Sequence, residues 1–413
     1  MKKNILMKSV NPRAANLDNN RGFAPPVGAV YDRAFFPEST KYARSQTAPT
    51  VLARIVTTAL ICLLAVASAD AQNAEEVFKN VQVLKGIPVD QFMDTMGFFS
   101  ASLGLNCTSC HGIASASDAA RFADDPPLKK TARRMILMVR AINKEHFAGA
   151  TMLTCYSCHR GGDRPKIIPS LAEQYGAPQE DPNEFEVPKQ TAGGPSADQI
   201  FDKYMQALGG SQQLASLTSF VAKGTYEGYD TDREQVPVEV FAKAPDQRAT
   251  VIHIRGGDKI TTYDAREGWV LEPATPAPLI KLTGGDLEGA KIDATVFFPA
   301  RIKQSRNQWR AGMTTIDDND VLVVEGTSTG QTPIKLYFNK ESGLLMRMVR
   351  YTNTLVGTIV TQVDYSDYRT VSSVKMPFKW ITTWVDGQST TQLSDVQPNA
   401  PIDAARFAKP DAK

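Results

Sequence analysis

Two pentapeptides carry the most specific chemistry in this sequence: Cys107-Thr108-Ser109-Cys110-His111 and Cys155-Tyr156-Ser157-Cys158-His159. Two thiols three positions apart can each form a thioether to a haem vinyl group. An imidazole directly after the second thiol can ligate the iron from the proximal side. The chain holds five cysteines, and four of them fall in these motifs. The pattern points to two covalently bound haem c groups. Cys107, Cys110, Cys155 and Cys158 are the expected attachment points, and His111 and His159 the expected iron ligands. Zinc fits less well, because paired Cys-x-x-Cys ribbons are separated by ~15–20 residues. Here 45 positions separate Cys110 from Cys155, and zinc leaves both histidines unexplained. Thiol redox chemistry predicts one motif beside a βαβ pattern, which is missing, and plain disulfides need an oxidising compartment.

Each iron needs a sixth ligand or an open position. Only His146 and His253 remain, and His253 falls in a predicted strand. Methionine is the better source. At about 100° per residue, Val89, Phe92, Met96, Phe99 and Leu103 share one face of a predicted helix, with Met93 on its flank. A second predicted helix places Met135, Met138, Val139 and Ile142 on one face, with Arg133, Arg140 and Lys144 opposite. Methionines on apolar stripes are usually core. Beside two haem motifs short of histidine, we expect Met96 to serve the first iron and either Met135 or Met138 the second. His146 is read as a surface residue or one close to a ligand, with an alternative reading as an iron ligand, and Arg160 and Arg164 as pairing with propionates or simply solvated.

These motifs need helices to position them. A helical stretch is expected near 74–83, a helix from Val89 to about Leu103 ending at Gly104, and another over about 128–143. The segment 161–196 is rich in Pro, Gly and charge and reads as a linker. Beyond it, a helix near 197–208 precedes β-branched, alternating runs at 220–226, 236–244, 249–254, 321–325, 334–338, 345–351, 358–365 and 379–385. The expected fold class is α+β: an all-α dihaem domain over 73–165, a linker over 166–196, and a mainly antiparallel β domain with a few helices over 197–411.

Ahead of these lies a leader over residues 1–71. Arg54 precedes an uncharged run from Ile55 to Val66, and Ala69-Asp70-Ala71 suits a signal-peptidase site before Gln72. The run is short for a transmembrane helix, and Cys62 lies inside it. The 50 residues before the run are long for a signal n-region and point to a misplaced start codon. Residues 1–71 hold nine of the chain's 46 Lys/Arg and four of its 44 Asp/Glu, which leaves 37 basic and 40 acidic residues in the remainder. That balance argues against a nucleic-acid partner.

The stretches MGFFSASLGLNCTSCH, ARRMILMVRAIN and TCYSCHRGG make residues 78–165 resemble the cytochrome c subunit of photosynthetic reaction centres. That family usually carries four haem motifs, of which two are present here. The resemblance implies haem-binding helices around stacked cofactors and electron donation to an oxidised photopigment. It also implies a methionine on the helix before each motif as distal ligand, at Met96 and Met138. A weaker resemblance links IFDKYMQALGG and VDYSDYR…VKMPFKW to outer-membrane lipoprotein-sorting domains, which are curved antiparallel sheets with a hydrophobic groove.

The expected function is one-electron transfer by an exported, periplasmic or extracytoplasmic dihaem cytochrome, not an enzyme. Its expected partners are redox donor and acceptor proteins, including a membrane reaction centre or other membrane complex. Two alternatives stand beside it: a lipid- or partner-binding β domain with the haems as tether or sensor, and a haem peroxidase with an open distal site.

Overall fold

A computed structural model describes residues 71–176, 193–273 and 275–411. The leader up to Asp70, with Cys62 and most of the expected cleavage site, lies outside the described residues, as do 177–192 of the expected linker.

The chain begins with a single helical turn, α1 (Ala74–Val77). It is shorter than the predicted 74–83 because Asn80 takes a left-handed backbone (φ 62°) that no helix accommodates. Helix α2 (Val89–Leu103) opens after Pro88 and ends on Gly104 at φ 62°, where a glycine avoids the Cβ penalty. Gly104 is required for a second reason: a Cβ there would collide with the Gly161 carbonyl. The first Cys-His motif forms α3 (Cys107–His111) and the second α5 (Cys155–His159). Between them runs α4 (Pro127–His146), with proline at its first position, where no N–H is needed. A short α6 (Leu171–Tyr175) follows.

The second region opens with α7 (Ala197–Ala207), capped reciprocally by Ser196 and Gln199, and α8 (Ser211–Ser216). Six strands follow: β1 (Ser219–Gly228), β2 (Val236–Lys243), β3 (Gln247–Ile254), β4 (Gly257–Tyr263), β5 (Gly268–Leu271) and β6 (Leu279–Lys281). Helix α9 (Gly284–Thr295) leads to seven more: β7 (Gln308–Ile316), β8 (Asn319–Thr327), β9 (Ile334–Asn339), β10 (Leu345–Asn353), β11 (Thr358–Val371), β12 (Val374–Trp384) and β13 (Gly387–Pro398). All belong to one antiparallel sheet, ordered β6-β5-β4-β3-β2-β1-β13-β12-β11-β10-β9-β8-β7. Two meanders therefore join where the first strand meets the last, with Phe220 opposite Pro398 and Tyr226 opposite Thr391.

One face of this sheet carries the main core. Phe220, Val240, Leu336, Phe338 and Met348 pack against Phe201 and Tyr204 of α7, Ile292 of α9, and Phe297 and Phe298. Each such burial contributes about 1.5–3 kcal/mol. The expected helical region followed by a large antiparallel sheet is what the chain forms.

The helical region rests against the sheet within one compact unit, Ala69–Lys413. Asp90 on α2 accepts hydrogen bonds from the Thr283 backbone and hydroxyl at the entry to α9. The β10–β11 loop places Val356, with Ile359, against Phe98 of α2 and Ile136 of α4. Among the described residues, no helix is long and apolar enough to cross a membrane.

Candidate functional site

Each Cys-His motif is a one-turn helix held by its own cap. The Asn106 side chain accepts from Ser109 N–H (3.0 Å) and from the Thr108 and Ser109 hydroxyls (3.0 and 2.8 Å). At the second motif Thr154 and Ser157 cap each other. In a helical turn, residues i and i+3 share a face. Cys107 and Cys110 therefore stand side by side with His111 next to them, and Cys155, Cys158 and His159 repeat the arrangement. All four cysteines are free thiols. Burial pushes the Cys110 and Cys155 thiols up.

The two imidazoles are oriented alike. His111 Nδ1 lies 3.1 Å from the Phe122 carbonyl, and His159 Nδ1 lies 3.0 Å from the Gly162 carbonyl. A carbonyl only accepts, so each Nδ1 carries the proton and each Nε2 keeps its lone pair. A backbone carbonyl on the far nitrogen is how proteins orient a metal-binding imidazole. Burial also holds the His111 pKa below the usual imidazole value, favouring the neutral, ligating form. The Phe122 carbonyl is fixed in turn: Lys129 Nζ donates to it (2.8 Å) and to the Asp124 carbonyl (2.9 Å). The Phe122 ring meets the His111 ring edge-on at 5.0 Å.

The long helices cross over between the motifs. Helix α2, which precedes the first motif, packs along α5 of the second, while α3 packs against α4. Gly161, just past the second motif, donates its N–H to Ser102 O at the end of α2 (3.0 Å). This contact ties the second motif's exit to the chain that enters the first.

The methionines lie on differently exposed faces. Met96 is half-buried beside Phe78, Phe92 and Phe99, in the small cluster around Ala74, Leu84 and Ile87. Met93 is exposed. On α4, Ile136 and Asn143 face the protein, and Met135 and Met138 face out. The arginines decide this orientation. Arg133 donates to Asn80 O and pairs with Asp125 (2.8 Å), and Arg140 donates to Val83 O (2.7 Å). These bonds turn the arginine side inward and leave the methionine side free. His146 is exposed. His253 pairs with Asp258 (2.8 Å) in the sheet, so it belongs to a cross-strand charge cluster.

Several large apolar side chains of the helical region are exposed. Ile113, Leu128, Met135, Leu137, Met138, Met152 and Tyr156 are exposed, as are Ile167, Ile168 and Leu171. Paired thiols and imidazoles whose Nε2 keeps its lone pair fit a covalently held haem at each motif. Sequence reasoning missed the supporting groups Phe122, Lys129 and Gly162. The only sequence signal for them was their closeness to the histidines.

A family model described as the photosynthetic reaction centre cytochrome C subunit matches residues 43–184. Over 108 residues the chain is 39% identical to the photosynthetic reaction center cytochrome c subunit of Thermochromatium tepidum, covering 25% of each chain. Over 108 residues it is 33% identical to that of Rubrivivax gelatinosus, covering 25% of this chain and 28% of that one. The match spans only about a quarter of these relatives' length. Among solved structures, a LolA superfamily protein from Nitrosomonas europaea covers 52% of this chain and 99% of its own, at 16% identity and a TM-score of 0.35. A putative outer membrane lipoprotein-sorting protein domain from Vibrio parahaemolyticus covers 51% and 97%, at 10% identity and 0.35. Across its Cys-His motif region, this chain is thus similar to photosynthetic reaction-centre cytochrome c subunits.

Proposed function

We propose that this chain is an extracytoplasmic electron-transfer protein that holds two covalent haem c groups, with residues 73–165 as the haem region, 166–196 as linker and 197–411 as a β-rich region. One observation supports this most: two motifs with free paired thiols each have a histidine whose Nδ1 is tied to a backbone carbonyl. Bound haem iron would supply reversible one-electron chemistry between the ferric and ferrous states. Cys107, Cys110, Cys155 and Cys158 fix position covalently. His111 and His159 would each offer the Nε2 lone pair, and the Phe122 and Gly162 carbonyls hold those tautomers. Met96 and Met138 are the proposed distal ligands, with Met135 the competitor one turn away. A thioether ligand raises the potential relative to imidazole, which suits donation to a high-potential acceptor. Redox proteins are the proposed partners, and a membrane complex is the proposed setting. Optical spectroelectrochemistry tests this: two reversible one-electron waves are expected, and a chain with no redox-active band contradicts it.

A further inference from the structure

A cavity of about 180 Å³ lies between α9 and the sheet, away from both Cys-His motifs. Its aromatic walls are Tyr226, Tyr263, Phe297, Tyr365 and Trp380. Threonine and serine hydroxyls from β3, β4, β12 and β13 complete it.

Three residues lining this cavity hold buried polar atoms with no protein partner: Arg248 Nε, Thr262 Oγ1 and Asp293 Oδ1. Leaving such an atom buried and unpaired is costly, more so when it is charged. Three around one cavity point to a shared purpose. The Arg248 guanidinium sits 5.1 Å from the Phe297 ring centre and 5.6 Å from that of Trp380. Its Nη1 donates a long hydrogen bond to the Asp293 carbonyl at 3.5 Å. The Asp293 carboxylate is engaged elsewhere, through Oδ2 to Arg350 at 3.3 Å. A guanidinium does not lose its proton, so Arg248 stays charged here with no close acceptor at Nε.

The chemistry of an occupant follows. Arg248 Nε needs an acceptor, and a carboxylate matches a guanidinium's planar donors. Asp293 Oδ1 only accepts, so the occupant needs a hydroxyl donor as well, which Thr262 can share. An apolar cavity of about 150 Å³ holds one benzene, so this one takes a ring with small substituents. Its enclosed part is smaller than the ~300 Å³ or more of a drug-sized site. We infer that this cavity binds a small hydroxylated aromatic carboxylate, with the carboxylate on Arg248 and the hydroxyl on Asp293 and Thr262. This goes beyond the electron-transfer proposal and does not depend on it.

The test is calorimetric titration of the full mature protein with 4-hydroxybenzoate, beside 4-hydroxybenzyl alcohol, laurate and inorganic phosphate. We expect saturable one-site binding of 4-hydroxybenzoate, with the neutral alcohol weaker by about tenfold or more, as loss of a charged hydrogen bond implies. Arg248→Gln should weaken the acid by a similar factor, and Thr262→Val by less. If Arg248→Gln fails to fold, the acid-against-alcohol comparison on the native protein still decides. Equal binding of acid and alcohol, no saturable binding of the acid, or laurate or phosphate binding that excludes the acid would each overturn the inference.

Discussion

Gly357 lies so close to Phe98 that a Cβ on the glycine would sit 2.5 Å from the ring's Cζ. The same Cβ would come within 3.2 Å of Thr154 Cγ2, the cap of the second Cys-His motif. The β10–β11 loop thus wedges between α2 and α5, and Val356 and Ile359 pack there with Phe98 and Cys155. A feature of the β-rich region, roughly two hundred residues downstream, shapes the wall behind the second motif.

Gly357→Val should therefore destabilise the protein by overpacking, by about 1–3 kcal/mol. At about 2–4 °C per kcal/mol for a chain of this size, a thermal melt will resolve it. A chain ending at residue 190 should keep its helices less firmly than the full chain, because Val356 and Ile359 are removed. An unchanged melting temperature in Gly357→Val would mean the loop does not seat on α2 in solution.

The proposed distal ligands give a spectroscopic prediction. Met96→Ala should open the first iron and Met138→Ala the second, each producing high-spin or water-ligated iron. Met96→His should keep low-spin iron and lower the potential. Met93→Ala should change neither site. If the methionine-to-iron charge-transfer band survives Met96→Ala combined with Met138→Ala, the assignment is wrong. Its loss in Met135→Ala would shift the second ligand by one turn.

The α2 junction is pH-sensitive. Burial, then the nearby Asp286 and Asp90 carboxylates, push Asp94 up to about 9. Burial likewise raises Asp286 and Asp90, while Arg350 opposes the shift at Asp286. Raised carboxyl pKa values mean the folded state binds protons more tightly than the unfolded one. Stability is then fullest below the ordinary carboxylate range and falls as pH rises from about 4 towards 9. Asp94→Asn should flatten that decline in denaturant titrations across this range. An equally steep decline in the variant would remove Asp94 as its source.

Much of this architecture was legible in the sequence. The span of α2 and its stop at Gly104 followed from apolar spacing and one glycine. The motifs were legible because their chemistry is local. Other elements were hidden. The strand β13, GQSTTQLSDVQP, is polar and lacks a clean alternation; its pairing with both β1 and β12 overrides that composition. On α4 the helical period gave two faces but not which one turns inward. That choice rests on Arg133 and Arg140 reaching backbone carbonyls more than fifty residues earlier. The Asp90–Thr283 and Gly357–Phe98 contacts are long-range and leave no local trace.

The central claim is covalent attachment of two haems, and a pyridine haemochrome assay on the denatured, exported protein tests it most directly. Two haems per chain should resist acid–acetone extraction, and Cys107→Ala with Cys110→Ala should leave one. Haem that extracts completely, or zinc in place of iron, would contradict the account.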